Sequence, residues 1–193
     1  MILKSAIFLD RDGTINFDPG YIKNPDEVHL LDGVAEGIRK LKGDFGFKIV
    51  VISNQAGVSK GLLTVTDVEA VNKKVNLLLQ KEGTSIDAFY YCPYHPDFDT
   101  TDKTICRKPS PYMILKAADE LKIDLANSYM VGDKMSDVEA GINAGTKTVY
   151  LTHELSNDEI SILHNLGKKP NFVAANFHDA CDFILKDFSG GNT

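Results

Sequence analysis

The chain has 193 residues, 43% of them hydrophobic and 25% charged, which are the proportions of an ordinary soluble globular protein with enough length to bury one core. A formal net charge of -6 argues against broad binding to nucleic acid or anionic membranes, so an anionic substrate has to be met by a local group of basic residues. Three cysteines are too few for a disulfide scaffold and suggest a reducing, cytoplasmic setting; no charged-then-apolar leader opens the chain, and no apolar run approaches the roughly 20 residues that span a bilayer.

In chain order, short apolar runs alternate with longer helical patterns. Strands are predicted at residues 6–10, 47–53, 88–91, 128–132 and 146–151, with a weaker one at 171–174. Helical spacing covers 34–41, 65–80, 111–121, 135–144 and 179–186, and the run Val75-Asn76-Leu77-Leu78-Leu79 reads as core. Alternation of this kind predicts an α/β fold: a doubly wound, mostly parallel sheet with helices on both faces. Residues 1–188 are read as a single domain with a loop insertion at about 92–109, and 189–193 as a flexible tail. Three longer connections, 11–32, 54–64 and 92–110, fall where open α/β sheets bind ligands, outside the carboxyl ends of the strands.

Four stretches carry chemistry. FLDRDGTIN sets Asp10 and Asp12 just past the first strand. Two acids there repel one another and lose hydration, a penalty that a cation between them would remove; an acidic turn is the plain alternative. Ser53, Asn54 and Gln55 end the second strand and offer neutral donors for phosphate oxygens, or simply cap the next helix. Arg107-Lys108-Pro109 closes the 92–110 loop and, taken alone, reads as a solvated pair of cations. Asp133 ends the fourth strand, with Asp137 one helical turn on, where it also suits a helix N-terminus.

In the predicted fold all these strand ends lie along one edge, so Asp10, Asp12, Ser53, Lys108 and Asp133 converge. Such a set suits Mg²⁺, which takes an octahedron of oxygens from carboxylates, carbonyl, water and phosphate. One Asp can then attack phosphorus to form an aspartyl phosphate while the other carries the proton, with Ser53 and Lys108 neutralising the remaining oxygens.

The four motifs together, in this order, resemble the haloacid dehalogenase (HAD) superfamily of aspartyl-phosphate phosphatases over residues 5 to about 150. The resemblance implies a HAD-like Rossmannoid fold, Asp10 as nucleophile and Asp12 as general acid/base. It also implies Mg²⁺ on Asp10, the Asp12 carbonyl and Asp133, with Asp137 orienting the outer shell of the metal. No segment between motifs is long enough for a large cap domain. FLDRDGTIN, the Asp18-Pro19-Gly20-Tyr21 loop, SNQAGVSKG, YYCPYHP, CRKP and SYMVGDK are similar to the D-glycero-D-manno-heptose 1,7-bisphosphate phosphatases, relatives of the histidinol-phosphate phosphatases. That similarity implies sugar contacts from Asp18, Gly20, Tyr21, Ser53, Asn54, Gln55, Arg107, Lys108 and Lys134, removal of the C7 phosphate, and a place in lipopolysaccharide or surface-glycan precursor synthesis, by a cytoplasmic monomer. Histidinol phosphate is the alternative substrate. A receiver-like signalling domain that only accepts a phosphoryl group is an alternative of another class, disfavoured by Asp12, and a dead binding protein is disfavoured by the complete polar set.

The sequence departs from that family at a zinc loop. Relatives carry a Cys-x-His and a Cys-x-Cys pair, whereas Cys92 is followed by Tyr94 and Cys106 is preceded by Thr104, with His95 displaced by one position. A closed zinc site needs four ligands. Zinc on Cys92 and Cys106 is therefore disfavoured, the two cysteines are expected to be thiols in an ordinarily packed loop, and Arg107 and Lys108 are the least secured of the implied contacts. His29, His153, His164 and His178 have no spacing suited to a metal or a catalytic dyad, and Cys181 reads as a small buried hydrophobe.

Overall fold

A computed structural model describes residues 3–152 and 168–190 of the chain. Its centre is a six-stranded sheet in the order β3-β2-β1-β4-β5-β6, built from β1 (Ala6–Leu9), β2 (Lys48–Asn54), β3 (Ala88–Cys92), β4 (Tyr129–Gly132), β5 (Lys147–Leu151) and β6 (Phe172–Ala174). Every pairing is parallel. The strands start or stop within a residue or two of the predicted runs. The helices are α1 (Val34–Phe45), α2 (Val65–Lys81), the short α3 (Thr101–Thr104), α4 (Tyr112–Leu121), α5 (Met135–Ala144) and α6 (Phe177–Gly190).

The strands are apolar along their whole length because both faces are covered, and alternate side chains go to opposite layers. Ile7, Leu9, Ile49, Val51, Tyr129 and Val131 pack with α1, α2 and α6 residues such as Ile38, Val71, Val75 and Cys181. Ala6, Phe8, Val50, Ile52 and Met130 pack on the other side with Ile114 and Ala117 of α4 and Ala140 and Ala144 of α5. Within the 75–79 run, Val75 and Leu79 are core while Leu77 is exposed, as one helix face requires.

Several boundaries differ from the sequence reading for local reasons. Gly33 and Gly46, both at positive φ, bracket α1 and carry it beyond residue 41. A reciprocal Thr64–Asp67 capping box fixes the start of α2. Phe177 and Phe188 pack against the core, so α6 is longer than 179–186, and Ser189 and Gly190 belong to it rather than to a tail; residues 191–193 lie outside the described residues. His29 and His178 are exposed, and His153 and His164 lie outside the described residues.

The largest correction concerns the loop after β3. Cys92 and Cys106 are not thiols: they are joined by a disulfide with Cα atoms 5.4 Å apart, a separation that suits the bond. Both sulfurs are thereby engaged with each other. The bond ties the end of β3 to the residue before Arg107, so this loop is anchored by more than packing.

Candidate active site

The strand order reverses direction of travel between β1 and β4, and at such a switch point the loops leaving two neighbouring strands separate to form a crevice. Asp10 leaves β1 there and Asp133 leaves β4. One oxygen each of Asp10, Asp133 and Asp137 lies within 4.8 Å of the others, the one cluster of three such ligands among the described residues. Burial and the neighbouring Asp10 push the Asp133 carboxyl above the usual carboxylate range. Burial pushes Asp137 up to about 7, against the pull of Lys108. Three hard oxygen donors in a site that disfavours their charge fit a divalent cation such as Mg²⁺.

Two glycines make the cluster possible. Gly13 has φ +83°, and a Cβ there would lie 2.3 Å from Asp133 Oδ2. At Gly132 a Cβ would lie 2.3 Å from Asp137 Oδ2. Asp137 cannot yield, because it is fully buried, pairs with Lys108 and accepts the Lys134 N–H. Gly132→Ala is accordingly expected to cost at least about 2 kcal/mol, read as a melting temperature lower by about 5 °C; an unchanged melting curve would show that the end of β4 is slack.

Lys108 is the cation of the inner site. Its Nζ lies 2.9 Å from Asp10 Oδ1 and 2.6 Å from Asp137 Oδ1, and it donates to the Ile52 carbonyl at 2.7 Å. Burial works against its charge, but the two carboxylates outweigh it and raise its pKa. Asn54 sets its place: the Asn54 amide donates to the Lys108 carbonyl and accepts the Lys108 N–H, at 3.1 and 3.0 Å. Asn54 thus spends both ends of its side chain on the backbone of Lys108.

Asp12 is surrounded by donors. Arg11 grips it with Nε on Oδ1 at 3.1 Å and Nη2 on Oδ2 at 2.8 Å, while Asn16 and Gln55 donate at 3.0 and 2.8 Å. Burial disfavours the charge, yet these partners prevail and hold the Asp12 carboxyl below its ordinary value. Gln55 also donates to Ser53 Oγ at 2.7 Å, which leaves the hydroxyl hydrogen free to face the site.

Outside this centre a cavity of about 350 Å³ is lined by Asp12, Asp18, Gly20, Tyr21, Asn54, Gln55, Arg107 and Lys134, all singled out in the sequence as site residues, and also by Lys60, which was not, and His95, which the sequence offered only as a displaced zinc partner. Lys134 pairs with Asp18 at 3.4 Å and Lys60 donates to the Tyr21 hydroxyl at 3.0 Å. Arg107 Nη1 is buried with no hydrogen-bond partner among the described residues. The structure therefore brings every singled-out site residue to one edge of the sheet, save that Cys92 and Cys106 are bonded to each other. Lys60 follows the SNQAGVS stretch, and a basic residue on a loop leaving a strand end was the available signal. Arg11 gave none: an Arg between two acids looks like surface charge until its burial is seen.

A doubly wound sheet with acids at the ends of β1 and β4, a hydroxyl after β2 and a buried lysine defines a HAD-like hydrolase, and residues 105–180 match the family model described as HAD-hydrolase-like. The chain is 38% identical over 182 residues to the D-glycero-beta-D-manno-heptose-1,7-bisphosphate 7-phosphatase of Yersinia pestis, covering 89% of this chain and 96% of that protein. With the enzyme of the same name from Escherichia coli K12 it shares 40% identity over 178 residues, 87% of this chain and 93% of the other. Among solved structures it is similar to the D,D-heptose 1,7-bisphosphate phosphatase of B. bronchiseptica complexed with magnesium and phosphate, with TM-score 0.79, 29% identity, and 95% and 99% of the two chains covered. The chain belongs to the D-glycero-D-manno-heptose-1,7-bisphosphate 7-phosphatase family, and it is a phosphomonoesterase.

Proposed function

We propose that the enzyme removes the C7 phosphate of D-glycero-D-manno-heptose 1,7-bisphosphate with Mg²⁺ as cofactor, through an aspartyl phosphate on Asp10. The observation that carries the reading is one cavity lined by both Asp12 and Arg107, whose buried Nη1 has no partner among the described residues. A substrate with two phosphates supplies what each needs: one phosphoryl group to the acids and another to a guanidinium suited to bidentate phosphate binding. Histidinol phosphate has a single phosphate and leaves Arg107 unanswered. The similarity to heptose bisphosphate phosphatases over nearly the whole chain supports the same substrate.

Asp10, the Asp12 carbonyl and Asp133 would hold the Mg²⁺, with Asp137 behind them, and when bound it supplies charge neutralisation and orientation for the phosphoryl oxygens. An Asp10 oxygen attacks phosphorus, the bond from phosphorus to the C7 oxygen breaks, and Asp12 delivers a proton to that departing oxygen. Asp12 begins ionised; the negative charge of the arriving phosphate raises its proton affinity, and a phosphomonoester, itself titrating near pH 6, can bring the proton with it. Water then attacks phosphorus and gives its proton to Asp12, and the bond to Asp10 breaks to free inorganic phosphate. Ser53 and Lys108 steady the non-reacting oxygens during both steps.

No helix among the described residues is long and apolar enough to cross a membrane. A bisphosphate carries several negative charges and does not cross a bilayer unaided, which supports a cytoplasmic location within lipopolysaccharide or surface-glycan precursor synthesis. The test is phosphate release with and without Mg²⁺ from both anomers of the heptose bisphosphate and from histidinol phosphate. A metal-dependent preference for the heptose of about tenfold or more in kcat/KM, some 1.4 kcal/mol in the transition state, is expected; a preference for histidinol phosphate would overturn the substrate.

A further inference from the structure

Arg11 is the largest side chain among those fully buried, at 1% exposure, and it sits next in sequence to the carboxylate that it grips. Two of its nitrogens hold the two oxygens of Asp12. The third, Nη1, donates at 2.9 Å to Oδ1 of Asn72, 61 residues away in α2. Asn72 is itself out of place by ordinary helix logic. It stands on the buried face of α2 among Val68, Val71 and Val75, only 7% exposed, where a polar side chain costs stability unless it is hydrogen-bonded. Its known partner is the Arg11 guanidinium.

A planar guanidinium has a fixed fork, so pinning Nη1 sets the plane in which Nε and Nη2 meet Asp12. Asn16 and Gln55 meet the same carboxylate from other sides. With both oxygens engaged, the carboxylate cannot rotate out of the plane of the fork. Displacing a reacting group by about 1 Å can cost on the order of a hundredfold in rate. We propose that Asn72 is a positioning residue for Asp12, acting through Arg11, so that a helix contributing nothing to the cavity lining sets the aim of the proton carrier. The inference rests on the reading of Asp12 as general acid and base.

The test separates a loss of aim from a loss of fold. With p-nitrophenyl phosphate the leaving group needs no proton, so phosphorylation of Asp10 proceeds without Asp12, while hydrolysis of the aspartyl phosphate still requires it to take the proton of water. Asn72→Ala is expected to give a burst of p-nitrophenolate near one equivalent per enzyme, then a steady rate at least about tenfold below wild type, with KM for the natural substrate changed by less than about threefold. Val75→Ala, one turn along the same helix and equally buried, removes packing without touching Arg11 and should keep the wild-type steady rate at temperatures where it is folded. Asp12→Asn, run beside them, should show the same burst and a still slower steady rate. If Asp12→Asn behaves so while Asn72→Ala turns over like wild type, or loses burst and steady rate together as Val75→Ala would on unfolding, the positioning role is overturned and the reading of Asp12 stands. If Asp12→Asn turns over like wild type, both fall.

Discussion

Asp10→Asn is expected to lower turnover by roughly four orders of magnitude or more while leaving the fold in place. The amide has nearly the shape of the carboxylate but no nucleophilic charge, so no aspartyl phosphate forms. Its structural cost is small because Lys108 keeps Asp137 at 2.6 Å and the Ile52 carbonyl at 2.7 Å. The charge of Asp10 is among the causes that raise the proton affinities of Asp133 and Asp137, so removing it relieves those two acids. The melting temperature of the metal-free protein should therefore hold or rise slightly. The rise on adding Mg²⁺ should shrink, because one of three clustered carboxylates has gone. Activity assays and melting curves on the same preparation check both halves. Substantial turnover would remove Asp10 from the chemistry, and a collapsed melting curve would mean that the pair with Lys108 carries more of the fold than this account allows.

Much of this site was legible in the sequence because its parts sit where strands end. An apolar run followed by an acid marks the end of β1 and of β4, and a parallel sheet brings such ends to one edge without further information. Asp10, Ser53 and Asp133 could be placed together for that reason alone. What could not be read depends on side-chain geometry between elements distant in sequence. Arg11 sits between two acids, and nothing local shows that its third nitrogen will find Asn72. Asn54 lines the cavity, and nothing local shows that its amide also meets both backbone groups of Lys108. Cys92 and Cys106 were judged by the zinc partners they lack, and the more informative quantity, a Cα separation of 5.4 Å, exists only in three dimensions. Helix ends were misjudged where a positive-φ glycine or an aromatic packed on the core, rather than hydrophobic spacing, decides where the helix stops.

These contacts share a direction. Asn54 reaches from the end of β2 to hold Lys108, Asn72 reaches from α2 to hold Arg11, and the disulfide ties the end of β3 to the residue before Arg107. Each fixes a loop beyond the carboxyl end of β1 or β3 from an element on the β3-β2-β1 side of the sheet. Positions held in this way need no cap domain to be assembled, which accords with the absence of a large cap among the described residues.

Lys108→Met tests the inner site most severely. The thioether roughly fills the volume of the lysine stem but leaves Asp10 and Asp137 buried with no cation, a change that costs about 3–5 kcal/mol where both are ionised, or about 10 °C in melting temperature. Turnover should be lost with it, since the ammonium that steadies the non-reacting phosphoryl oxygens is gone. The pH dependence distinguishes this cause from lost packing. Burial raises Asp137 to about 7 from its ordinary 3.8, so the folded protein binds that proton more tightly than the unfolded chain does. Its contribution is fully present below about pH 4 and declines as pH rises toward 7. Lys108 has its pKa raised as well, so its favourable pairing persists throughout that window in the wild type. In Lys108→Met the pull of the lysine on Asp137 is gone, and the decline extends to higher pH. The gap in melting temperature between wild type and variant should therefore be widest near neutral pH and narrow as Asp137 takes up its proton toward pH 4. Adding Mg²⁺ at neutral pH should narrow it too, by placing another cation beside the same carboxylates, without restoring turnover. A gap that stays constant from pH 7 to 4 would show that the lysine stem, and not its charge, holds this edge of the sheet together.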